Sequence, residues 1–514
     1  MSKTPNDTYD PNSVETPLEA YENFMAVLEP LDTLMEGTRG MQAAGTKYLP
    51  QEIEEENVSY ENRLKRTKLV NYFRRTIERL AGEVFSKPVT FGEDLHPQIE
   101  DLMENIDNNG KDITRFAFDS FKDGLHRGIT HILVDYPQVR LKTEGNVKYF
   151  WDDSEKDEER KWKPWTKANE DKGGFRPNWI PITAEQIIGW RTEIKQGKVT
   201  LTQIRIEEQT EEPDGEYGQV IVNRIRVFTP DTWEIHTEND EGTYELTSEG
   251  TNNLGYIPLI SIYFGERVRE MVVNPPLEGL ADLNIMHWQS TSDQRNILHF
   301  ARLVIYFGKG IEAKDGLVIG PNRFILSDEP DSDLKVVEHS GEAIGAGRVD
   351  IRDIETQMAL FGLTVMMPKT GSGTATERAI DSSENDSSLK AMALSFEDGL
   401  NEAVQITADY LKIDKEKAGM VFINTEFQSY LMSAEAQILI DAKDKRILPR
   451  SVVIEEFMRR GIIREDSDPI EIERLLEKEL ESDMPFDNGL PSTPLAQPKP
   501  AVGAGTKVVP MAKK

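Results

Sequence analysis

The sequence predicts an α+β chain, and three observations predict it. Between Trp179 and Phe264 the pattern is β, with the runs IIGWRTEI, KVTLTQIRIEE, QVIVNRIRVF, TWEIHTE, TYELTS and YIPLISIYF. Gly197, Asp214-Gly215 and Glu241-Gly242 punctuate these runs as turns of a mostly antiparallel segment. Directly after it, Asn274 to Leu303 reads as a long helix, with Leu277, Leu280, Asn284, Trp288, Thr291, the stem of Arg295 and Leu298 on one line. Later helical patterns complete the picture, among them Ile351, Ile354, Met358, Phe361 and Val365 at heptad-like spacing.

Taken in order, residues 1–16 are polar, rich in Pro, Asn and Asp, and expected to be disordered. Thr16-Pro17-Leu18-Glu19 marks a helix start, for a helix to about Met35, and Gly37, Gly40 and Gly45 mark an irregular link. Tyr60 to Phe85 reads as one amphipathic helix, apolar at Leu64, Val70, Phe73, Ile77, Leu80, Ala81 and Val84. Lys65, Arg66, Lys68, Arg74, Arg75 and Arg79 make it locally basic, which fits either a solvated face or an acidic partner. Ile113 to Gly128 is a helix running into the strand Ile129–Tyr136, which Pro137 ends. Asp152 to Lys163 is a charge run between tryptophans, read as an exposed loop.

Pro275 and Pro276 suit the first turn of the Asn274–Leu303 helix, where a proline needs no N–H partner. At about 1.5 Å per residue such a helix spans roughly 40 Å. Its other face carries Glu278, Asp282, Gln289, Asp293 and Asn296, more polar than a monomer's core helix needs and suited to packing against copies of itself. Val304 to Ser340 reads as short strands with glycine breaks, and a second helix starts near Gly347. The glycine-bearing loop Met366-Met367-Pro368-Lys369-Thr370-Gly371-Ser372-Gly373 follows. A long helix from about Ala375 to Leu411 has Ala379, Leu389, Met392, Leu394, Phe396, Leu400, Val404 and Tyr410 as its apolar set, with a kink expected at its serine pairs. Shorter helices are expected at 433–445, 450–460 and 470–482. Residues 485–514, with six prolines, four lysines and one acid, form a basic disordered tail.

The chain has 514 residues, long enough for two to four domains, and a net charge of −31 from 91 acidic and 60 basic residues. Tight DNA binding needs clustered Lys and Arg, and that footprint is missing globally. Acidity fits solubility, or a surface that must not hold a passing polyanion. Cysteine is absent, which excludes disulfides, thiolate catalysis and Cys-based zinc sites. No apolar run reaches the length of a membrane helix and no signal peptide opens the chain, so a cytosolic site of assembly is expected. No GxxxxGK[ST] or GxSxG motif occurs, and the nearest histidine pairs, His126 with His131 and His287 with His299, lack a metal-ligand spacing. No catalytic residue, metal ligand or cofactor is assigned. Among so many carboxylates, spacing selects no catalytic pair.

The order of elements from residue 255 onward carries a resemblance. Gly255-Tyr-Ile-Pro-Leu-Ile-Ser-Ile-Tyr263 closes a mixed region; a long helix with Asp282-Leu-Asn and Ser290-Thr-Ser-Asp-Gln follows. A small β insertion, a second helix, a glycine-bearing loop and a helix beginning Thr374-Ala-Thr-Glu377, with Ser387-Ser-Leu-Lys390, complete the series. With Ile129–Pro137 and Ile187-Ile-Gly-Trp190 upstream, this resembles the portal proteins, or head-to-tail connectors, of tailed double-stranded DNA phages over roughly residues 17–480. The resemblance implies a portal-like fold: a mixed α/β wing (17–274), a two-helix stem (275–303 and 347–363), and a small β-containing clip (304–346). It adds a tunnel loop (364–375), a long kinked wing helix with its return segment (376–424) and a C-terminal helical crown (425–484).

It also implies a homo-oligomeric ring, usually of twelve subunits, at one capsid vertex of the virion. Its partners would be double-stranded DNA in the channel, read without sequence specificity, the terminase large subunit, the major capsid and scaffolding proteins, and later the head-completion or tail adaptor proteins; a membrane is not among them. Residues Met366 to Gly373 would be the DNA tunnel loop, with Lys369 touching phosphates. Glu278, Asp282, Gln289, Asp293 and Asn296 would face the channel or the neighbouring subunit. Trp288, Ile351, Ile354, Met358 and Phe361 would pack the stem, and Lys309, Asn322, Arg323, Glu329 and Asp331 would lie on the clip that meets the motor. Two other readings stay open, a carboxylate-rich divalent-metal enzyme acting on nucleotides or nucleic acid, and another virion scaffold or capsid-completion protein.

Overall fold

A computed structural model describes residues 10–136, 141–144, 147–151, 162–164, 176–195, 197–302, 305–309, 331–337, 341–366, 388–425, 443, 450–459, 472 and 474. The chain divides into two compact units, Met1–Phe427 and Gln428–Lys514. In the second, the described helix is Arg450–Arg459, with Val453 and Ile454 buried.

The first unit is α+β. Its elements before the long helix are α1 (Glu19–Glu36), α2 (Thr38–Ala44), α3 (Asn57–Arg66), α4 (Tyr72–Val84), β1 (Thr90–Phe91), α5 (Pro97–Met103), α6 (Ile113–Arg127) and β2 (Ile129–Asp135). Short strands β3 (Leu141–Glu144), β4 (Val147–Trp151) and β5 (Trp162–Pro164) form an antiparallel sheet, so the last residues of the expected charged loop are strand; residues 152–161 lie outside the described ones. There follow β6 (Asn178–Ile182), β7 (Ile187–Lys195), β8 (Lys198–Asp214), β9 (Gly218–Phe228), β10 (Thr232–Glu238), β11 (Tyr244–Thr251), β12 (Leu259–Tyr263), β13 (Glu266–Arg269) and β14 (Val272–Asn274). The five strands β7 to β11 form one antiparallel meander in chain order. Three of its four turns fall at the expected glycines, with Gly197, Gly215 and Gly242 at φ of 79°, 69° and 78°, a region that L side chains avoid. A second sheet, β12-β2-β6, backs onto the main core.

That core forms where the apolar lines of α4, α6 and the helix Ser388–Leu411 meet the inner face of β12-β2-β6. Phe121 is its hub, with ring centroids 4.9 Å from Phe264 and 5.3 Å from Phe396, both edge-on. Gly124 is required here, since a Cβ would fall 2.1 Å from the Phe264 ring. Trp179 is fully buried and its indole N–H donates to the Thr407 hydroxyl at 2.9 Å.

Several expectations change. The predicted 60–85 helix is two helices, because Thr67 to Asn71 is not helical. Asn71 accepts from the Arg74 amide at 2.8 Å to cap α4 and donates to the Leu34 carbonyl at 2.6 Å; the Leu69 amide donates to the Thr38 hydroxyl at 3.2 Å. These side-chain bonds outcompete a continued helix, and period alone does not show them. Pro275 and Pro276 precede the long helix, α7 (Glu278–Ala301), rather than opening it, and Arg295 is exposed. The second long helix, α8 (Glu342–Met366), starts five residues before the expected Gly347, runs through Gly345 and Gly347, and takes in Met366, the first residue expected in the glycine-bearing loop. Helix α9 (Ser388–Leu411) buries Leu389, Phe396, Leu400 and Val404, but Leu394 is exposed. The expected kink, and Ala379, lie outside the described residues. Among those residues, no helix is long and apolar enough to cross a membrane.

Candidate functional site

The feature to weigh is an antiparallel arm. Helix α7 descends and α8 returns beside it, in a register fixed by three contacts. Near the top, the place of a Gly279 Cβ lies 3.2 Å from the Phe361 ring. In the middle, His287 Nε2 lies 3.4 Å from a Glu355 carboxylate oxygen. Lower down, the Gln294 amide donates to the Ile344 carbonyl at 3.1 Å, and a Cβ on Gly347 would fall 2.2 Å from Gln294 Oε1 and push that amide aside. Beyond the helices the same register continues in a ribbon, where β15 (Ile305–Lys309) pairs antiparallel with β16 (Asp333–Val337), Ile305 opposite Val337 and Lys309 opposite Asp333.

The upper half of α7 is anchored in the body. Trp288, Leu280 and Asn284 are fully buried. Asn284 Oδ1 accepts from the Phe73 amide at 3.0 Å, and its amide donates to the Val70 carbonyl at 3.0 Å. Sequence spacing puts Asn284 on the apolar line, and the structure shows why a polar residue stands there: it satisfies a buried N–H in the first turn of α4. His287 is buried against the edge of Tyr72, ring centroids 5.7 Å apart, and burial pushes its pKa down while Glu355 partly opposes this.

A clamp that the sequence reading missed holds the lower half. Arg63 of α3 is buried, and its guanidinium binds both carboxylate oxygens of Glu55, at 2.8 and 2.7 Å. It also donates to the Pro50 carbonyl at 2.8 Å and lies 3.8 Å from Asp293 of α7. The hydroxyls of Thr67 and Ser292 are 3.0 Å apart beside it. A run of charge at 61–68 gave no signal that this one arginine turns inward.

The predicted site residues divide accordingly. Glu278 and Asp282 are exposed. Gln289 is half-buried and donates to the Tyr48 carbonyl at 3.0 Å, and Asn296 accepts from Arg66 at 3.4 Å. Asp293 is exposed; partial burial pushes its pKa up, Arg63 opposes this, and Glu52 and Glu55 add to it. Ile354 and Met358 are buried in the seam with Trp288, while Ile351 and Phe361 are half-buried. Lys309 and Asp331 are exposed, at the end of β15 and just before β16. Met366 ends α8; Met367, Pro368, Lys369, Thr370, Gly371, Ser372, Gly373, Asn322, Arg323 and Glu329 lie outside the described residues.

Of the histidines, His131 is buried on β2, 2.9 Å from the Ser261 hydroxyl, and burial pushes its pKa down to about 3. His126 is buried with its Nε2 3.0 Å from Asp32, beside Arg127. Among the described residues, no three His, Asp or Glu side chains are grouped to hold a metal ion.

The sequence profile of a family described as a domain of unknown function (DUF4055) matches residues 276–411, the span from the start of α7 to the end of α9. No curated protein matches the chain. Among solved structures, a chain in the neck of an empty gene transfer agent particle, computed with C6 symmetry, is similar at 11% identity and a TM-score of 0.37, covering 83% of this chain and 99% of that one. A chain of the native gene transfer agent virion is similar at 11% identity and a TM-score of 0.35, covering 75% of this chain and 88% of that one. Similarity at this level says nothing about function.

Proposed function

We propose that the chain is a portal subunit. Copies of it form a ring, of twelve subunits as in the family it resembles, at one capsid vertex, and double-stranded DNA passes through the ring during packaging and ejection. The observation that carries this reading is the arm. From Gln294 and Gly347 outward, burial falls away and the helices leave the body; Phe300 in that part is 56% exposed, and Val349, just on the body side of Gly347, is 59% exposed. A long helix pair that leaves the body with apolar side chains at its surface suits packing against neighbours, and the chain's order of elements resembles that of a stem, a clip and a tunnel loop.

In this reading α7 and α8 are the stem and the β15–β16 ribbon belongs to the clip, which docks the terminase large subunit and later the head-completion or tail adaptor proteins. The wing and crown meet the capsid and scaffolding proteins. The net charge of −31 suits a conduit. DNA carries one charge per about 1.7 Å of axis, and acidic walls prevent the counterion-releasing contacts that would hold it. Lys369, between Pro368 and Thr370, supplies a single cation for transient phosphate contact. The ring acts by shape and charge and performs no catalysis. Negatively stained particles of the purified chain, scored for a ring with a central hole and weighed by native mass spectrometry, test the reading. A chain that stays monomeric at every concentration and ionic strength refutes it.

A further inference from the structure

The arm has two charged flanks of opposite sign. Successive helical residues turn by about 100°. On α7, the side toward α8 is set by His287 and Gln294, and the side toward α3 by Ser292 and Asn296. Asp282, Met286 and Asp293 fall on the arc between these two sides, and all three are exposed. Arg295 and Arg302 instead fall on the line of Asn284, about three and five turns further on, beyond the contact with α4, and are exposed too.

Helix α8 repeats the division. Its buried line is Ile354 and Met358, with Gly347 against Gln294; Asp350 and Asp353 lie to one side of that line and Arg348 and Arg352 to the other, all exposed. The two helices are antiparallel, so their angular senses are opposed. This places Asp350 and Asp353 on the same flank as Asp282 and Asp293, and Arg348 and Arg352 on the flank of Arg295 and Arg302. One side of the arm is therefore acidic around Met286, and the opposite side is basic. Among the described residues, no ion pair within the chain occupies any of the four guanidinium groups.

We propose that the acidic flank of one arm receives the basic flank of the next copy of this chain. The two flanks lie on opposite sides of one subunit, so the contact is head-to-tail, the type that closes into a ring when the rotation permits. Heights agree as well. In the register that sets Gln294 beside Gly347, Arg348 and Arg352 lie level with the α7 segment from about Gln289 to Asp293, which is the level of Asp293, Asp350 and Asp353 on the other flank. Copies related by rotation about an axis along the arm keep equal heights, so the opposite charges meet without a shift. Met286, 47% exposed, is then covered by the stems of the arginines. Asp293, whose charge is disfavoured within one chain, gains a second cation. The inference rests on the ring reading and names the surfaces that would form it.

A charge-reversal mixing experiment tests it. Variant one is Asp350→Arg with Asp353→Arg, which leaves α8 basic toward both flanks; variant two is Arg348→Glu with Arg352→Glu, which leaves α8 acidic toward both. The substituted side chains are exposed, and circular-dichroism melting checks the fold of each. By native mass spectrometry at low salt, each variant alone should need at least about tenfold more subunit than the wild type for half-assembly. An equimolar mixture should recover assembly near the wild-type concentration, with the two variants incorporated in equal number. If the wild type assembles and either variant alone matches it, the flanks are not the interface, and the ring reading stands. Failure of the mixture to recover overturns the pairing, as does assembly of variant two unchanged but with lost retention of double-stranded DNA, which assigns the basic flank to DNA. A wild type that never assembles overturns the inference and the ring reading together.

Discussion

Replacing Asn284 with alanine should loosen the joint between the body and the arm. The side chain is fully buried and makes two bonds, one to the Phe73 amide and one to the Val70 carbonyl, each 3.0 Å long. The Phe73 amide lies in the first turn of α4, where no intrahelical acceptor exists, so the substitution leaves it buried and unsatisfied. The Val70 carbonyl keeps one partner, the Tyr72 amide at 3.0 Å. A buried orphan of this kind costs about 1–3 kcal/mol, and a lost ordinary bond about 1 kcal/mol, so the total is about 2–4 kcal/mol. Urea unfolding should show that loss, and native-state hydrogen exchange should show the first turn of α4 losing protection before α6. An unfolding free energy within about 0.5 kcal/mol of wild type, the range of neutral surface substitutions, with unchanged exchange at Phe73, would refute the assignment of Asn284 as the tie.

Burial lowers the pKa of His131 to about 3, against about 6.5 in an unfolded chain. The unfolded state therefore binds the extra proton first, and stability present above about pH 6.5 is lost as pH falls toward 3, by up to about 1.4 kcal/mol per pH unit. His131→Gln should flatten the melting temperature profile between pH 6 and 4, and a profile as steep as wild type would discount this histidine. Glu55→Ala leaves the buried Arg63 with the Pro50 carbonyl and the more distant Asp293 and should cost about 1.5–3 kcal/mol, whereas the double change Arg63→Met with Glu55→Leu should cost less; the comparison of urea midpoints checks the order. Deleting Gly371 to Gly373 should leave ring assembly intact and impair DNA packaging in a packaging assay; loss of the ring would make the loop structural.

The sequence by itself determined the α+β class, the β meander with its turn glycines, the existence of α7, α8 and α9, and the apolar seam of Trp288, Ile354 and Met358. Period and turn chemistry are local, so they are legible in one dimension. Tertiary structure decided what local pattern cannot encode. The break at Thr67–Asn71 depends on Leu34 and Thr38, more than thirty residues upstream. The roles of Asn284 and Arg63 depend on partners brought from other elements. The polar residues on the outer face of α7, alike in a helical projection, separate only when the Tyr48 carbonyl engages Gln289 and Arg66 of α3 engages Asn296, leaving Asp282 open. The two-sided charge of the arm needed both helices and their antiparallel register, since neither α7 nor α8 alone shows which way its neighbour's charges face.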